Sequence, residues 1–192
     1  MIDPGLARRI RLVGLDVDGV LTDGGLYVAR VAETAVEFKR FDSRDGTAVW
    51  LLRRAGITVV ISSGRHADAT AIRARELKID EVLQDETGGG RKLQAFEEML
   101  ARRGLELADC AFVGDDLADL PLLRRVALPV GVANAVPEAK AAARLVTRTA
   151  GGHGAVREVA ETLLKARGVW DDVVAHYLEE RGDAAQRPVG SH

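Results

Sequence analysis

The sequence predicts an α/β protein built on a doubly wound parallel sheet, and three observations carry that reading. Short apolar runs without polar alternation, such as Leu12-Val13-Gly14-Leu15 and Ile57-Thr58-Val59-Val60-Ile61, read as strands buried on both faces. These runs alternate with stretches of helical periodicity, the pattern of right-handed βαβ crossovers. Several of the runs also stop abruptly at acidic or small polar residues, and the ligand crevice of an open α/β sheet lies outside the carboxyl ends of its strands.

The elements follow in order. The run from Leu12 ends at Asp16-Val17-Asp18-Gly19, where glycine lets the chain turn away. No helix start follows Asp23. Gly24-Gly25-Leu26-Tyr27-Val28 and Ala35-Val36-Glu37-Phe38-Lys39-Arg40-Phe41 instead read as a hairpin joined through residues 29–34, a flap over the strand ends. A helix is expected over 46–55 with Gly56 as its stop, then a strand over 57–61 ending in Ser62-Ser63-Gly64-Arg65. A helix over 68–77, a strand over 81–84, and a break at Gly88-Gly89-Gly90 precede a helix over 92–103 closed by Gly104. A strand over 111–114 ends in Asp115-Asp116-Leu117-Ala118-Asp119, followed by a short helix over 117–124. The remainder reads as a strand over 128–132, a helix over 137–144 with proline in its first turn, a short strand over 145–147, and helices over 155–166 and 169–180.

Composition bounds the function. With 192 residues the chain suits one domain, spanning about residues 1–180, with an apolar-poor tail over 181–192. Hydrophobic residues make up 47% and the formal net charge is -2, so no basic excess points to nucleic acid. No stretch approaches the roughly 20 apolar residues that cross a bilayer, and no leader pattern precedes the first strand, which points to a cytoplasmic protein without a membrane partner. The single cysteine, Cys110, sits in an apolar run and reads as a core residue.

Four polar clusters at successive strand ends carry the chemistry: Asp16 and Asp18, then Ser62 and Arg65, then Lys92, then Asp115 with Asp116 and Asp119. Asp-x-Asp alone is as readily a helix-capping loop, and Ser62 alone a turn residue. Four clusters in order make those readings poor. Carboxylates without histidine or cysteine favour a hard cation, Mg²⁺, with Asp16, Asp18 and Asp115 as ligands, the Asp18 backbone carbonyl among the donors. A hydroxyl, a lysine and helix N-termini beside such an ion suit a phosphoryl group. Asp16 then reads as the nucleophile, Asp18 as general acid and base, Ser62 as a donor to a phosphoryl oxygen, and Lys92 as the group that neutralises charge. Asp116 reads as a helix cap or a group supporting the metal ligands, Asp119 as a partner of Lys92 or of the metal's waters, and Gly151-Gly152-His153-Gly154 as either a phosphate loop or a structural turn.

Asp16-Val17-Asp18-Gly19-Val20-Leu21-Thr22, Ser62, Lys92 and Gly114-Asp115-Asp116-Leu117-Ala118-Asp119, in this order, resemble the four motifs of the haloacid dehalogenase superfamily of phosphohydrolases, over about residues 10–180. The full run from Asp16 through Asp23-Gly24, the hairpin in place of a cap domain, Ser63-Gly64-Arg65 and the segment from Gly151 to Glu158 resemble more narrowly the capless 3-deoxy-D-manno-octulosonate 8-phosphate phosphatases. The resemblance implies a Rossmann-like fold without a cap, Mg²⁺, a phosphorylated sugar acid as substrate, and a role in making the lipopolysaccharide inner core. It also implies a homotetramer in which the hairpin and tail of one subunit close another's site, with Arg65 meeting the sugar acid. The chain departs from that family at Ala48, where a further glycine is usual after Asp45-Gly46. A nine-carbon 2-keto-3-deoxy sugar acid phosphate, a phosphomutase, and a non-enzymatic oligomeric binding module are the competing expectations.

Overall fold

A computed structural model describes residues 2–84 and 91–183. Its centre is β1, Leu12–Leu15, in which all four residues are buried. Two neighbours flank it in parallel, β4 (Thr58–Ser63) and β6 (Cys110–Gly114). Outside them lie β5 (Glu81–Gln84) and, on the other side, β7 (Leu128–Gly131) and β8 (Leu145–Val146). The sheet order β5-β4-β1-β6-β7-β8, every pair parallel, is the doubly wound arrangement. From β1 the chain winds outward to one edge and then returns to wind outward to the other. The reversal opens a crevice at the carboxyl ends of β1, β4 and β6.

Two groups of helices flank the sheet. One comprises α1 (Pro4–Arg9), α2 (Ser43–Arg54), α7 (Ala155–Arg167) and α8 (Trp170–Glu179). The other holds α4 (Lys92–Arg103), α5 (Leu120–Leu123) and α6 (Pro137–Ala142). α3 (Asp68–Glu76) follows β4. Phe96 of α4 meets Phe112 of β6 edge to face, ring centroids 5.8 Å apart, directly beside Gly14. Cys110 is buried in this core, and burial pushes its thiol up to about 12, which makes it inert.

The sheet expected from the sequence is present, and the differences are local. Helix α2 starts at Ser43 rather than at residue 46, because the Asp42 carboxylate accepts the Arg44 N–H at 2.8 Å and Gly46 is carried inside the helix. Strand β4 runs on through Ser62 and Ser63. The hairpin consists of β2 (Tyr27–Val31) and β3 (Thr34–Phe38), so its turn is Ala32-Glu33 instead of residues 29–34. Residues 117–124 form two pieces, a tight turn over Leu117–Asp119 and then α5. Helix α1 was not expected; Asp3 caps it by accepting the Leu6 N–H at 2.8 Å. Between Thr22 and α2 the described chain forms only the β2–β3 hairpin, with no cap domain. The expected break at Gly88-Gly89-Gly90 and most of the tail lie outside the described residues.

Candidate active site

Just past β1, the Asp16 N–H donates to the Val113 carbonyl at 3.0 Å, so the chain still follows β6 where its first carboxylate emerges. The backbone then folds back in a wide turn over Val17–Leu21, closed by Thr22 donating its N–H and its hydroxyl to the Val17 carbonyl at 3.0 and 3.1 Å. Gly19 takes φ 89° in this turn, a conformation that other residues adopt only with strain. A side chain there would also overlap the Asp115 carboxylate. Glycine at position 19 is therefore demanded twice, by the turn and by the approach of the acid from β6.

Lys92, the first residue of α4, is 6% exposed and sits between two carboxylates. Its Nζ donates to Asp16 Oδ1 at 2.7 Å and to Asp119 Oδ1 at 2.6 Å. The other Asp119 oxygen accepts the N–H groups of Asp115 and Asp116, at 2.8 and 3.3 Å. A cation at a helix N-terminus opposes the helix dipole, and these two carboxylates offset that penalty. Asp116 is exposed and caps the Leu117 N–H at 2.7 Å.

Electrostatics mark the same spot. Burial first, then the charge of Asp119, raises Asp16 to about 7 against the pull of Lys92. Burial and the neighbouring Asp16 and Asp119 raise Asp115 to about 8. Burial alone would depress Lys92, but Asp16 and Asp119 bring it above the ordinary lysine value. One oxygen each of Asp16, Asp115 and Asp119 lie within 4.8 Å of one another. Asp119 is committed to Lys92 and two backbone donors, whereas Asp115 Oδ1 is buried without a hydrogen-bond partner among the described residues. Crowded carboxylates and an oxygen without a described partner fit a hard divalent cation with oxygen ligands, which Asp16 and Asp115 could hold. The Asp18 carboxylate is bonded to Lys39 and is not one of this group, so its backbone carbonyl is the donor it could offer.

Asp18 is engaged by the hairpin, a feature the sequence reading missed. Lys39, its side chain 1% exposed, bonds Asp18 and lies 3.2 Å from Glu37 Oε1. Arg65 closes the circuit, 2.9 Å from Glu37 Oε2 and 3.8 Å from Asp18 Oδ2. The available signal was the alternation Glu37-Phe38-Lys39, which puts both charged side chains on one face of a strand. Ser62 is buried at the end of β4, and its hydroxyl makes no hydrogen bond to a described residue. The Ser63 hydroxyl is committed, donating to the Arg65 carbonyl at 3.0 Å and accepting the Arg65 N–H at 3.3 Å.

Residues 86–159 match the family model for haloacid dehalogenase-like hydrolases. The 3-deoxy-D-manno-octulosonate 8-phosphate phosphatase KdsC of Escherichia coli K12 is 42% identical over 166 residues, 86% of this chain and 85% of its own. A crystal structure of the corresponding phosphatase from Moraxella catarrhalis, in complex with magnesium ion, phosphate ion and KDO, superposes with a TM-score of 0.82 at 36% identity, covering 91% of this chain and 97% of that one. The cobalt-bound deoxy-D-mannose-octulosonate 8-phosphate phosphatase of Haemophilus influenzae gives 0.80 at 31% identity, covering 90% and 99%.

Proposed function

The chain belongs to the 3-deoxy-D-manno-octulosonate 8-phosphate phosphatase family of haloacid dehalogenase-like hydrolases, and from that premise we propose that it releases phosphate from 3-deoxy-D-manno-octulosonate 8-phosphate with Asp16 as nucleophile. The observation that supports this most is Asp16 held by Lys92 beside an Asp115 oxygen that has no hydrogen-bond partner among the described residues. Asp16, Asp115 and the Asp18 carbonyl would hold Mg²⁺, which would supply positive charge to keep Asp16 ionised and to offset charge on the phosphoryl group.

An Asp16 oxygen attacks phosphorus in line, and the bond from phosphorus to the sugar oxygen breaks. Asp18 in its protonated form gives that oxygen its proton. Asp18, now a carboxylate, takes a proton from water, whose oxygen attacks the phosphoaspartate and frees Asp16 and phosphate. Lys92 stays fixed between Asp16 and Asp119, and Ser62 donates to a phosphoryl oxygen. Arg65 meets the carboxylate of the sugar acid; Lys39 and Arg65, drawn toward that charge, release Asp18 to turn to the leaving oxygen.

We place the reaction in the cytoplasm as a step toward the lipopolysaccharide inner core. Among the described residues no helix is long and apolar enough to cross a membrane. The protein acts as a homotetramer in this reading. Leu26, Tyr27, Val28, Val31 and Phe38 of the hairpin segment are exposed, and a two-stranded hairpin is marginal without something packed on it. A neighbouring subunit covers those side chains and steadies Glu37 and Lys39.

The test is phosphate release from 3-deoxy-D-manno-octulosonate 8-phosphate, nine-carbon sugar acid phosphates and simple sugar phosphates, with Mg²⁺ or EDTA, alongside light scattering for subunit number. Strong preference for the eight-carbon substrate, lost in EDTA, is expected; preference for another phosphate discards the substrate. Ser62→Ala is expected to lower kcat roughly 10²-fold, with Ser63→Ala milder. The reverse order moves the phosphoryl donor to Ser63.

A further inference from the structure

The loop over residues 132–136, between β7 and α6, ties together the two segments that carry the acidic centre. Its Val136 N–H donates to the Asp115 carbonyl at 2.8 Å. Two residues earlier, Asn134 reaches across to the turn after β1. Its Nδ2 donates to the Gly19 carbonyl at 2.9 Å, and its Oδ1 accepts the Gly151 N–H at 2.6 Å. A carbonyl only accepts and an N–H only donates, so the two partners fix the orientation of the amide. No other side chain of that length serves both.

Gly19 is clamped from several sides. The Asp115 carboxylate rests where a Gly19 side chain would be, and a side chain on Gly151 would overlap the Gly19 carbonyl. Next to it, the Gly152 N–H donates to the Val20 carbonyl at 3.0 Å. The Gly151-Gly152-His153-Gly154 segment is thus a backplate packed backbone to backbone under the turn, and Asn134 is the side chain that bolts the two together.

We infer that Asn134 is a positioning residue for the acidic centre, setting the separation of Asp16 and Asp115 by pinning the Gly19 turn between the Asp115 loop and the glycine backplate. Its side-chain partners are Gly19 and Gly151, so it acts through the backbone of the turn. Mg²⁺ demands near-ideal octahedral geometry, so a small loosening of one ligand-bearing turn weakens its hold. Outer groups that orient metal ligands typically carry 10–100-fold in metal affinity.

The inference rests on the reading of this centre as a Mg²⁺ site, and the experiment separates the two. Melting temperature is followed against Mg²⁺ concentration without substrate, for the wild type, Asn134→Leu and Asn134→Asp, and the dissociation constant is taken from the shift. Wild type is expected to bind. Asn134→Leu is expected to raise the dissociation constant at least about 10-fold, and Asn134→Asp, which keeps the acceptor for Gly151 but loses the donor to Gly19, is expected to fall between. A lower melting temperature in EDTA with a dissociation constant within about two-fold of wild type in both variants would mean a structural role only and overturn the inference. If Asn134→Leu fails to fold, Asn134→Asp decides by the same criterion. A wild type that gains nothing from Mg²⁺ overturns the underlying reading together with the inference, whereas binding unchanged in the variants overturns the inference alone.

Discussion

Replacing Asp16 with asparagine is expected to abolish phosphate release while making the metal-free protein more stable at neutral and alkaline pH. The amide cannot attack phosphorus, and losses on removing a catalytic nucleophile reach 10⁴-fold and beyond, so residual activity should fall below about 10⁻⁴ of wild type. The stability gain has a definite sign. Burial and Asp119 raise Asp16 in the folded chain to about 7, above its ordinary value of 3.8. The folded state therefore binds that proton more tightly than the unfolded state does. Its contribution is fully present below about pH 4 and is lost as pH rises toward 7. The neutral amide of the variant carries no such penalty, and Lys92 keeps its bond to Asp119. Urea denaturation in EDTA at pH 5 and pH 8 should show wild type losing stability between the two and Asp16→Asn losing less, the remainder coming from Asp115, itself raised to about 8. An active variant would remove Asp16 from the chemistry. A variant with the full wild-type pH slope would show that burial does not strain the carboxylate.

What the sequence made legible follows from how each feature is encoded. β1 and β6 are buried on both faces, so their residues form unbroken apolar runs, and the acids that follow them stand out by contrast. Lys92 was legible by its misplacement, a cation opening a helix. Features that depend on partners distant in sequence were not. Lys39 pairs with Asp18 across 21 residues, and Arg65 with Glu37 across 28. The ends of β2 and β3 slipped because every residue of β2 and most of β3 are exposed, which removes the contrast between faces that fixes register. The start of α2 was hidden by Asp45 and Gly46, which look like a break. Asp45 is in fact buried and accepts the Arg157 N–H at 2.9 Å in the first turn of α7, and only the tertiary fold supplies that partner. The same limit applied to Asn134, whose two partners lie 115 and 17 residues away.

Lys92→Met is expected to damage stability and catalysis together, and Mg²⁺ is expected to restore part of the first but not the second. Methionine fills much of the same volume but leaves Asp16 and Asp119 buried side by side without their shared cation. Breaking a buried ion pair by deleting one partner costs about 3–5 kcal/mol, most of it from the charges left behind. That cost is electrostatic, so it should shrink at low pH, where the carboxylates protonate, and grow toward pH 8. Mg²⁺, drawn to Asp16 and Asp115, should restore part of the stability. It should not restore turnover, because the Nζ that stands 2.7 Å from Asp16 Oδ1 is gone, and kcat should stay down by about 10²–10³-fold. Adding Asp16→Asn to Lys92→Met provides the internal control. With Asp16 replaced by a neutral amide, Lys92 has only Asp119 to pair, and the stability lost with Lys92 should be clearly smaller than in the wild-type background. Equal losses in both backgrounds would mean that Lys92 stabilises the fold through Asp119 and through packing on Phe112, whose ring centroid is 5.8 Å from Nζ, and that its bond to Asp16 is incidental.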